Sequence, residues 1–503
     1  NAKIPDGMSY DDNSYTRLLK EDLNIEVAYD WVASSTDYDE KMSLCIGSNT
    51  IPEIMNVNAT QYRALLKYDM IQPLDKYFDD YASDALKSYV KSGGEELQKC
   101  ITNEDGELMA IPAPNLTAGG VNEMWIRQDW LDALGLDVPR TWDELAEVAK
   151  AFVTRDPDGN GENDTIGILG PGNSDHMNAV GGNQFGLDPL FSCFQSYPQY
   201  WLKSEDGSVE YGSIQPETKT ALENISKLYA DGVIDPETLV RSDSKEPLLA
   251  GKVGIFFGPW WCAYTFADTT LSGSADWRAY FTPLSEDGKY YTHMAEPTTQ
   301  YVVASKDCKN PEAAFKIINY IVANEQKWVE EGVTSTEMGT GDFYPLYNTY
   351  DNADEIEKSY EALTKYLAGD ISMDDVDFST HKLLKNDMEA VTKLKKKPYD
   401  DFSLKYWNLD SDLAKTNLPR LVAIMVGDAP LVNEEYVPVY NAYNGQTETM
   451  EAKWANLKKM EEETFAKIIM GKADISEFDT FVKNWKNQGG DQILKEINDE
   501  LSK

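Results

Sequence analysis

GKVGIFFGPWWCAY, residues Gly251 to Tyr264, is the stretch on which the reading of this chain turns. Val253 to Phe257 is a short apolar run, partly β-branched and aromatic and bounded by glycines, and it predicts a buried strand. Gly258-Pro259 ends that strand, because proline has no N–H for the ladder and glycine permits a sharp exit. Trp260 and Trp261 follow at once. The carboxyl end of a buried strand is where open α/β sheets present side chains to a ligand. A single tryptophan there would ordinarily be core. Two beside a Gly-Pro exit favour a ligand-facing position, where flat indoles suit flat apolar surfaces such as the C–H face of a pyranose ring.

Outward from this stretch, composition sets the bounds. At 503 residues the chain exceeds what one hydrophobic core usually supports, so two or more domains are expected. With 42% hydrophobic and 11% aromatic residues it is a folding chain, not a disordered one. A formal charge of −40, from 86 acids against 46 bases, repels nucleic acid and anionic membrane surfaces, so nucleic acid is not expected as a partner. Cys45, Cys100, Cys193, Cys262 and Cys308 are widely spaced, with no CxxC pair, and predict scattered buried thiols. No run approaches the ~18 to 20 apolar residues of a membrane helix. The chain starts at Asn1 rather than Met, from which we expect that a targeting segment has been removed.

Strand and helix patterns alternate from the N-terminus: strand at 25–32, helix at 38–45, strand at 51–57, helix at 60–68. That spacing predicts βαβ units and a mainly parallel sheet in an α/β fold. Asp105-Gly106 turns into a strand at 107–112, and the polar, glycine-bearing stretch at 113–120 leads to another at 121–126. Thr141-Trp-Asp-Glu144 is a capping box, followed by the apolar face Leu145, Val148, Ala149 and Phe152. Pro216 and Pro311 each open a helix, the second with Asn310 as its cap. The last quarter is helical: Met450, Trp454, Leu457, Phe465 and Ile468 form one stripe ended by Gly471, and Phe478, Phe481, Val482 and Trp485 form the next.

Asp156, Asp158, Asn160, Glu162 and Asp164 place oxygen-bearing residues at every second position, with Gly159 and Gly161 between them. Calcium needs several hard oxygens converging through a tight turn, and this spacing supplies them: four side chains and the Glu162 carbonyl. The bidentate acid that would close an EF-hand loop is missing, since that position is Gly167. A structural calcium ion is expected. Catalytic signatures are absent: there is no GxSxG, HExxH, Walker loop or complete GxGxxG, and His176, His293 and His381 are scattered. With 86 acids, no chosen pair of carboxylates is informative about glycoside hydrolysis.

Several segments in order resemble the extracellular solute-binding proteins of ABC sugar importers, of the large family 1 type common among Gram-positive lipoproteins. Ala110-Ile-Pro112, Met124-Trp-Ile-Arg-Gln-Asp-Trp-Leu131 and Pro139-Arg-Thr-Trp-Asp-Glu144 are similar to that family's central signature. Ile255 to Trp261 resembles the strand and Gly-Pro-Trp of maltose-binding proteins, which implies that Trp260 stacks on sugar and Trp261 is an additional aromatic. Asp156 to Asp164 resembles the calcium loop of large members. Gly445-Gln-Thr447, Phe465 to Gly471, Phe478 to Trp485 and Gly489-Gly-Asp491 look like the C-terminal block of the lipoprotein subgroup.

The resemblance implies a periplasmic-binding-protein-like fold: two α/β lobes with a ligand cleft between them and a helical C-terminal extension. Crossings near 113–120, 296–301 and 341–347 would make residues 1–117 plus 299–345 the first lobe and 118–298 plus 346–503 the second. It also implies a monomer that captures an oligosaccharide, closes by a hinge motion and delivers the sugar to ABC permease subunits. The protein would be extracellular, held at the membrane by an N-terminal lipid outside this chain. Trp31, Asn58, Asn115, Tyr347, Tyr406 and Trp407, at expected strand ends, crossings and the helical tail, are further candidate sugar contacts. The expected protein is not an enzyme. The alternative is a secreted carbohydrate-active enzyme of glycoside hydrolase type, which would add a positioned acid and base.

Overall fold

A computed structural model describes residues 7–34, 37–172, 183–273, 275–330, 344–346, 350–378, 381, 383–393 and 407–501. Backbone contacts divide the chain into two units. The first comprises Asn1–Leu116, Pro297–Glu355 and Asp377–Lys382, the second Thr117–Glu296, Ile356–Val376 and Leu383–Lys503.

The first unit is built on a three-stranded sheet in which Tyr301–Ala304 lies between Ile54–Val57 and Ile111–Pro112. All four residues of the middle strand are buried. Helices Tyr38–Ser48, Ala59–Lys67 and Glu312–Glu330 supply apolar faces to the core over this sheet, including Met42, Leu65, Phe315 and Ile318. Tyr62 stacks on Tyr301 with ring centroids 4.4 Å apart and planes 9° from parallel.

The second unit centres on a four-stranded sheet in the order Ile166–Leu169, Val253–Gly258, Glu123–Arg127, Trp277–Tyr280. Every residue of Val253–Gly258 is buried, as the apolar run predicts. Helix Trp142–Thr154 starts at the expected capping box: the Glu144 N–H donates to Thr141 Oγ1 at 3.3 Å, and Thr141 N–H donates back to Glu144 Oε2 at 3.0 Å. The helix lies so close over the sheet that a Cβ on Gly254 would come 2.2 Å from Phe152. Helices Glu448–Ile469, Glu477–Trp485 and Asp491–Leu501 complete the core of this unit through Phe465, Phe478, Phe481, Trp485 and Ile493. Tyr211 stacks on Trp485 at 4.8 Å. Gly471, at φ +65°, stops the first of these helices.

Two expectations fail. The sheets are mainly antiparallel: only Ile166–Leu169 pairs in parallel with Val253–Gly258 in the larger sheet, and both pairings in the first unit are antiparallel. Apolar patterning reports burial, not direction. Here Met55 pairs with Val303 and Met124 with Phe257, partners too distant in sequence for a local pattern to reveal. Residues 25–32 form no strand. Their alternation comes from Ile25 and Val27 packing beside Tyr15, Leu19 and Ile317, which extended chain can do without a ladder partner.

Candidate functional site at the Trp260 turn

Val253–Gly258 runs into Pro259, which is extended at φ −75° and ψ 169°, and the chain then coils through a 3₁₀ turn, Trp260–Cys262, into helix Ala263–Gly273. Cys262 folds back beneath Gly258, where a Cβ would lie 2.6 Å from the Cys262 sulfur. Trp125 Nε1 donates to the Pro259 carbonyl at 3.4 Å and tethers the turn to the neighbouring strand. Trp260 is enclosed, at 6% exposure, while Trp261 is half-buried. The Trp260 indole N–H has no hydrogen-bond partner.

The turn rests on a segment more than 150 residues later in the chain. Helix Asp412–Val422 contains Pro419, which removes a helix donor, and the helix widens into a π turn, Ala423–Gly427. Gly427 fits directly under the tryptophan. A Cβ on it would lie 2.8 Å from the Trp260 carbonyl oxygen, 3.0 Å from Trp260 Cα and 2.9 Å from Trp125 Cζ2. Two of those atoms are backbone and cannot rotate aside. Gly427→Ala is therefore expected to destabilise the second unit by about 1–3 kcal/mol and to weaken ligand binding by displacing Trp260. Unchanged melting and unchanged affinity in this variant would contradict the contact.

Two carboxyl groups lie fully buried beside this turn. Glu123 is paired with Gly258 across the sheet, and Asp428 follows Gly427. None of their four carboxyl oxygens has a hydrogen-bond partner. Burial raises the Glu123 carboxyl well above the usual range, and the negative field of Asp428 and Glu434 adds to it. Burial likewise raises Asp428, with Glu357 adding to it. Gln184 also lies against the turn, its Cα 3.3 Å from the position a Gly258 Cβ would take, and its side chain within hydrogen-bonding reach of the Cys262 sulfur. Nearby, Asn122 donates to buried Asp188 at 2.7 Å. His293, 3.9 Å from Asp188, is pushed down to about 3 by burial, so its imidazole is neutral at physiological pH.

The other residues singled out in the sequence fall into distinct environments. In the first unit, Trp31 is half-buried against Tyr38, with ring centroids 5.4 Å apart and Lys41 Nζ 5.9 Å over its ring. Asn58 caps helix Ala59–Lys67: its Oδ1 accepts from Gln61 N–H at 2.9 Å and its Nδ2 donates to Asp39 at 3.2 Å. Asn115 donates its backbone N–H to the Pro297 carbonyl at 2.8 Å. In the second unit, Trp407 is buried. Tyr347 and Tyr406 lie outside the described residues.

The 156–164 loop curls around its first aspartate. Asp156 Oδ1 accepts from Asn160 N–H at 3.1 Å and Oδ2 from Gly161 N–H at 3.0 Å, with Gly159 and Gly161 at positive φ. Asn160 Nδ2 donates to Asp158 and Asp164, and Lys252 Nζ pairs with Asp164 at 2.9 Å. The oxygens are the right kind for calcium, yet in this arrangement they are turned to protein donors. Among the described residues no group of three or more His, Cys, Asp or Glu is arranged to hold a metal. Gly167 could not carry the closing acid, because a Cβ would meet the Val233 and Ala149 carbonyl oxygens at 2.6 and 2.7 Å.

Glu123 and Asp428 were missed by sequence reasoning. Glu123 left a trace, an acid inside the apolar run VNEMWIR. Asp428 left none, since only the fold brings it to the turn. Among the described residues no helix is long and apolar enough to cross a membrane.

Comparison with known proteins follows this geometry. The fructooligosaccharide ABC transporter substrate-binding protein FusA of Streptococcus pneumoniae is 28% identical over 265 residues, 49% of this chain and 47% of FusA. That match spans about half of each protein. The polygalacturonan/rhamnogalacturonan-binding protein YtcQ of Bacillus subtilis is 24% identical over 484 residues, 94% of this chain and 85% of YtcQ. Among solved structures, an EF-hand mutant of S. pneumoniae FusA in complex with fructo-nystose superposes with a TM-score of 0.56 at 18% identity, over 99% of this chain and 98% of that one. That likeness is one of fold: two-domain α/β. Residues 2–328 match the family described as bacterial extracellular solute-binding protein, and the chain belongs to that family.

Proposed function

We propose that this protein captures an oligosaccharide outside the cell and delivers it to the permease subunits of an ABC transporter. The observation that carries the reading is the Trp260–Trp261 pair at the exit of a fully buried strand, in a chain of this family. Indole faces stack on the C–H faces of sugar rings, and polar groups beside them bond the hydroxyls. FusA and YtcQ are both named for saccharides that they bind. Trp31, Asn58, Asn115, Tyr347, Tyr406 and Trp407 belong to this proposal as further contacts, with Asn58 the weakest because capping engages its amide. In this proposal residues 1–117 plus 299–345 and 118–298 plus 346–503 are the two lobes, and the protein acts as an extracellular monomer anchored by an N-terminal lipid.

Binding without catalysis is part of the proposal. Glycosidase carboxyl pairs work because their environments push the two pKa values apart. Burial raises both Glu123 and Asp428, so this pair is not driven apart in the way a glycosidase pair is. Titration calorimetry against an oligosaccharide array, followed by product analysis, tests the reading: a sugar bound and recovered intact supports it. Hydrolysed product, or no saccharide bound, overturns it.

A structural calcium ion in the 156–164 loop is the second element. Asp156, Asp158, Asn160 and Asp164 would supply side-chain oxygens and Glu162 its carbonyl. Its support is the alternation of oxygen-bearing residues through a tight glycine turn and the EF-hand named in FusA. An ion bound only by the folded state stabilises by mass action, about 2.7 kcal/mol at a hundredfold excess over its dissociation constant. A chelator is expected to lower the melting temperature and to leave sugar affinity unchanged while the protein stays folded. Identical melting in calcium and in chelator would remove the metal from the proposal.

A further inference from the structure

We infer that Glu461 makes the docking of the C-terminal helices onto the rest of the second unit sensitive to pH, firmest in mild acid and looser above neutrality. The inference does not depend on which ligand the protein binds. Met450, Trp454, Leu457, Phe465 and Ile468 form the apolar stripe of helix Glu448–Ile469, and Glu461 stands inside that stripe, four residues from Leu457 and four from Phe465. It is fully buried. Tyr211 Oη donates to its Oε2 and Ser213 Oγ to its Oε1, each at 2.8 Å. The Tyr211 ring also stacks on Trp485 at 4.8 Å and meets Trp454 edge-on at 5.4 Å. One acid on the C-terminal helices is thus bolted to two hydroxyls of the 209–214 segment.

The bolt contains no cation. Tyr211 is the titratable group that faces Glu461 from strand Val209–Tyr211, and burial keeps its phenol neutral by raising it well above the usual range. On the helix of Glu461 itself, Lys458 and Glu462 act with opposite signs. Helices Pro216–Ala230, Glu477–Trp485 and Asp491–Leu501 add Leu222, Phe481 and Ile493 to the same core. Their charged residues are exposed or half-buried, where Lys219 pairs with Asp479 and Glu496 accepts from Thr449. A hydroxyl can donate or accept, so either protonation state of Glu461 is hydrogen-bonded. Ionisation instead leaves an unpaired charge in a sealed core. Burial accordingly lifts the Glu461 carboxyl to about 7. A glutamate in unfolded chain titrates near about 4.3. Because the folded value is the higher one, the stabilisation is complete below the unfolded value and is lost as the pH rises to about 7.

Native-state hydrogen exchange on the full chain, corrected for intrinsic exchange, tests this on peptides covering 448–501, with helix Trp142–Thr154 of the same unit as reference. In the wild type, protection of the C-terminal helices is expected to fall by about tenfold to a hundredfold relative to the reference between about pH 5 and pH 8. Glu461→Gln, nearly isosteric and always neutral, is expected to abolish that fall and to be the better protected protein at the upper pH. Wild-type protection that falls no faster at 448–501 than at the reference would overturn the inference, whether or not the variant folds. An equal fall in wild type and folded Glu461→Gln would overturn it too, since another group would then be titrating.

Discussion

Trp260→Ala is expected to weaken oligosaccharide binding by about thirtyfold or more, the loss that follows from removing an aromatic anchor worth about 2 kcal/mol. The structure adds a second consequence. At 6% exposure Trp260 is packed, and Gly427 fits against its backbone. Truncation therefore also costs stability, about 3–5 kcal/mol by the precedent of buried aromatic residues, so the variant should melt earlier than the wild type. The two effects separate with Trp260→Phe. That substitution keeps an apolar ring for packing and stacking but loses the indole N–H, so it should recover most of the melting temperature and only part of the affinity. Calorimetry well below the melting transition is the deciding measurement. A folded Trp260→Ala protein that binds its sugar at wild-type strength would sink the assignment of this turn as the binding site.

Local pattern carried most of the element assignments because the relevant signals are local. The capping box at Thr141, the apolar run at 253–257 and the stripes ending at Gly471 and Trp485 each depend on residues within a turn or two of one another. Strand direction is not local. The antiparallel pairing of Glu123–Arg127 with Val253–Gly258 joins segments separated by more than a hundred residues, and no periodicity reports on it. The same limit applies at the site. Trp260 and Trp261 stand out as candidates because a Gly-Pro exit marks the end of their own strand. Asp428 reaches the turn only through Pro419, the π turn and the glycine that lets two backbones approach, none of which bears on Trp260 until the chain is folded. Asn58 shows the converse. An amide at a strand end suits a sugar contact, yet the same position caps the next helix, and the structure gives it that task.

Asp387→Ala is expected to destabilise the second unit by about 3–5 kcal/mol, the usual cost of stranding one member of a buried ion pair. Asp387 and Arg420 are joined by two parallel hydrogen bonds, Nε to Oδ1 at 2.7 Å and Nη2 to Oδ2 at 2.8 Å, with side chains 5% and 19% exposed. Burial raises the Asp387 carboxyl above its usual range despite the guanidinium beside it. On Arg420 burial lowers and the carboxylate raises, with a net rise, so the desolvation cost falls mainly on the carboxylate. A pair of this kind is costly to break and adds little net stability compared with an apolar pair of similar volume. Asp387→Leu combined with Arg420→Met should accordingly recover to within about 1 kcal/mol of the wild type, or exceed it. Chemical denaturation followed on the transition of the second unit is the suitable measurement, because a chain of two units need not unfold in one step. The functional consequence follows from position. Arg420 lies on the helix that continues into the π turn, and that turn sets Gly427 under Trp260 and Asp428 beside it. The single variant should therefore also bind sugar more weakly at temperatures where it remains folded, and the double variant should restore binding as it restores packing. If the double variant regains stability but not affinity, the charges themselves, rather than the helix they anchor, would be acting on the ligand.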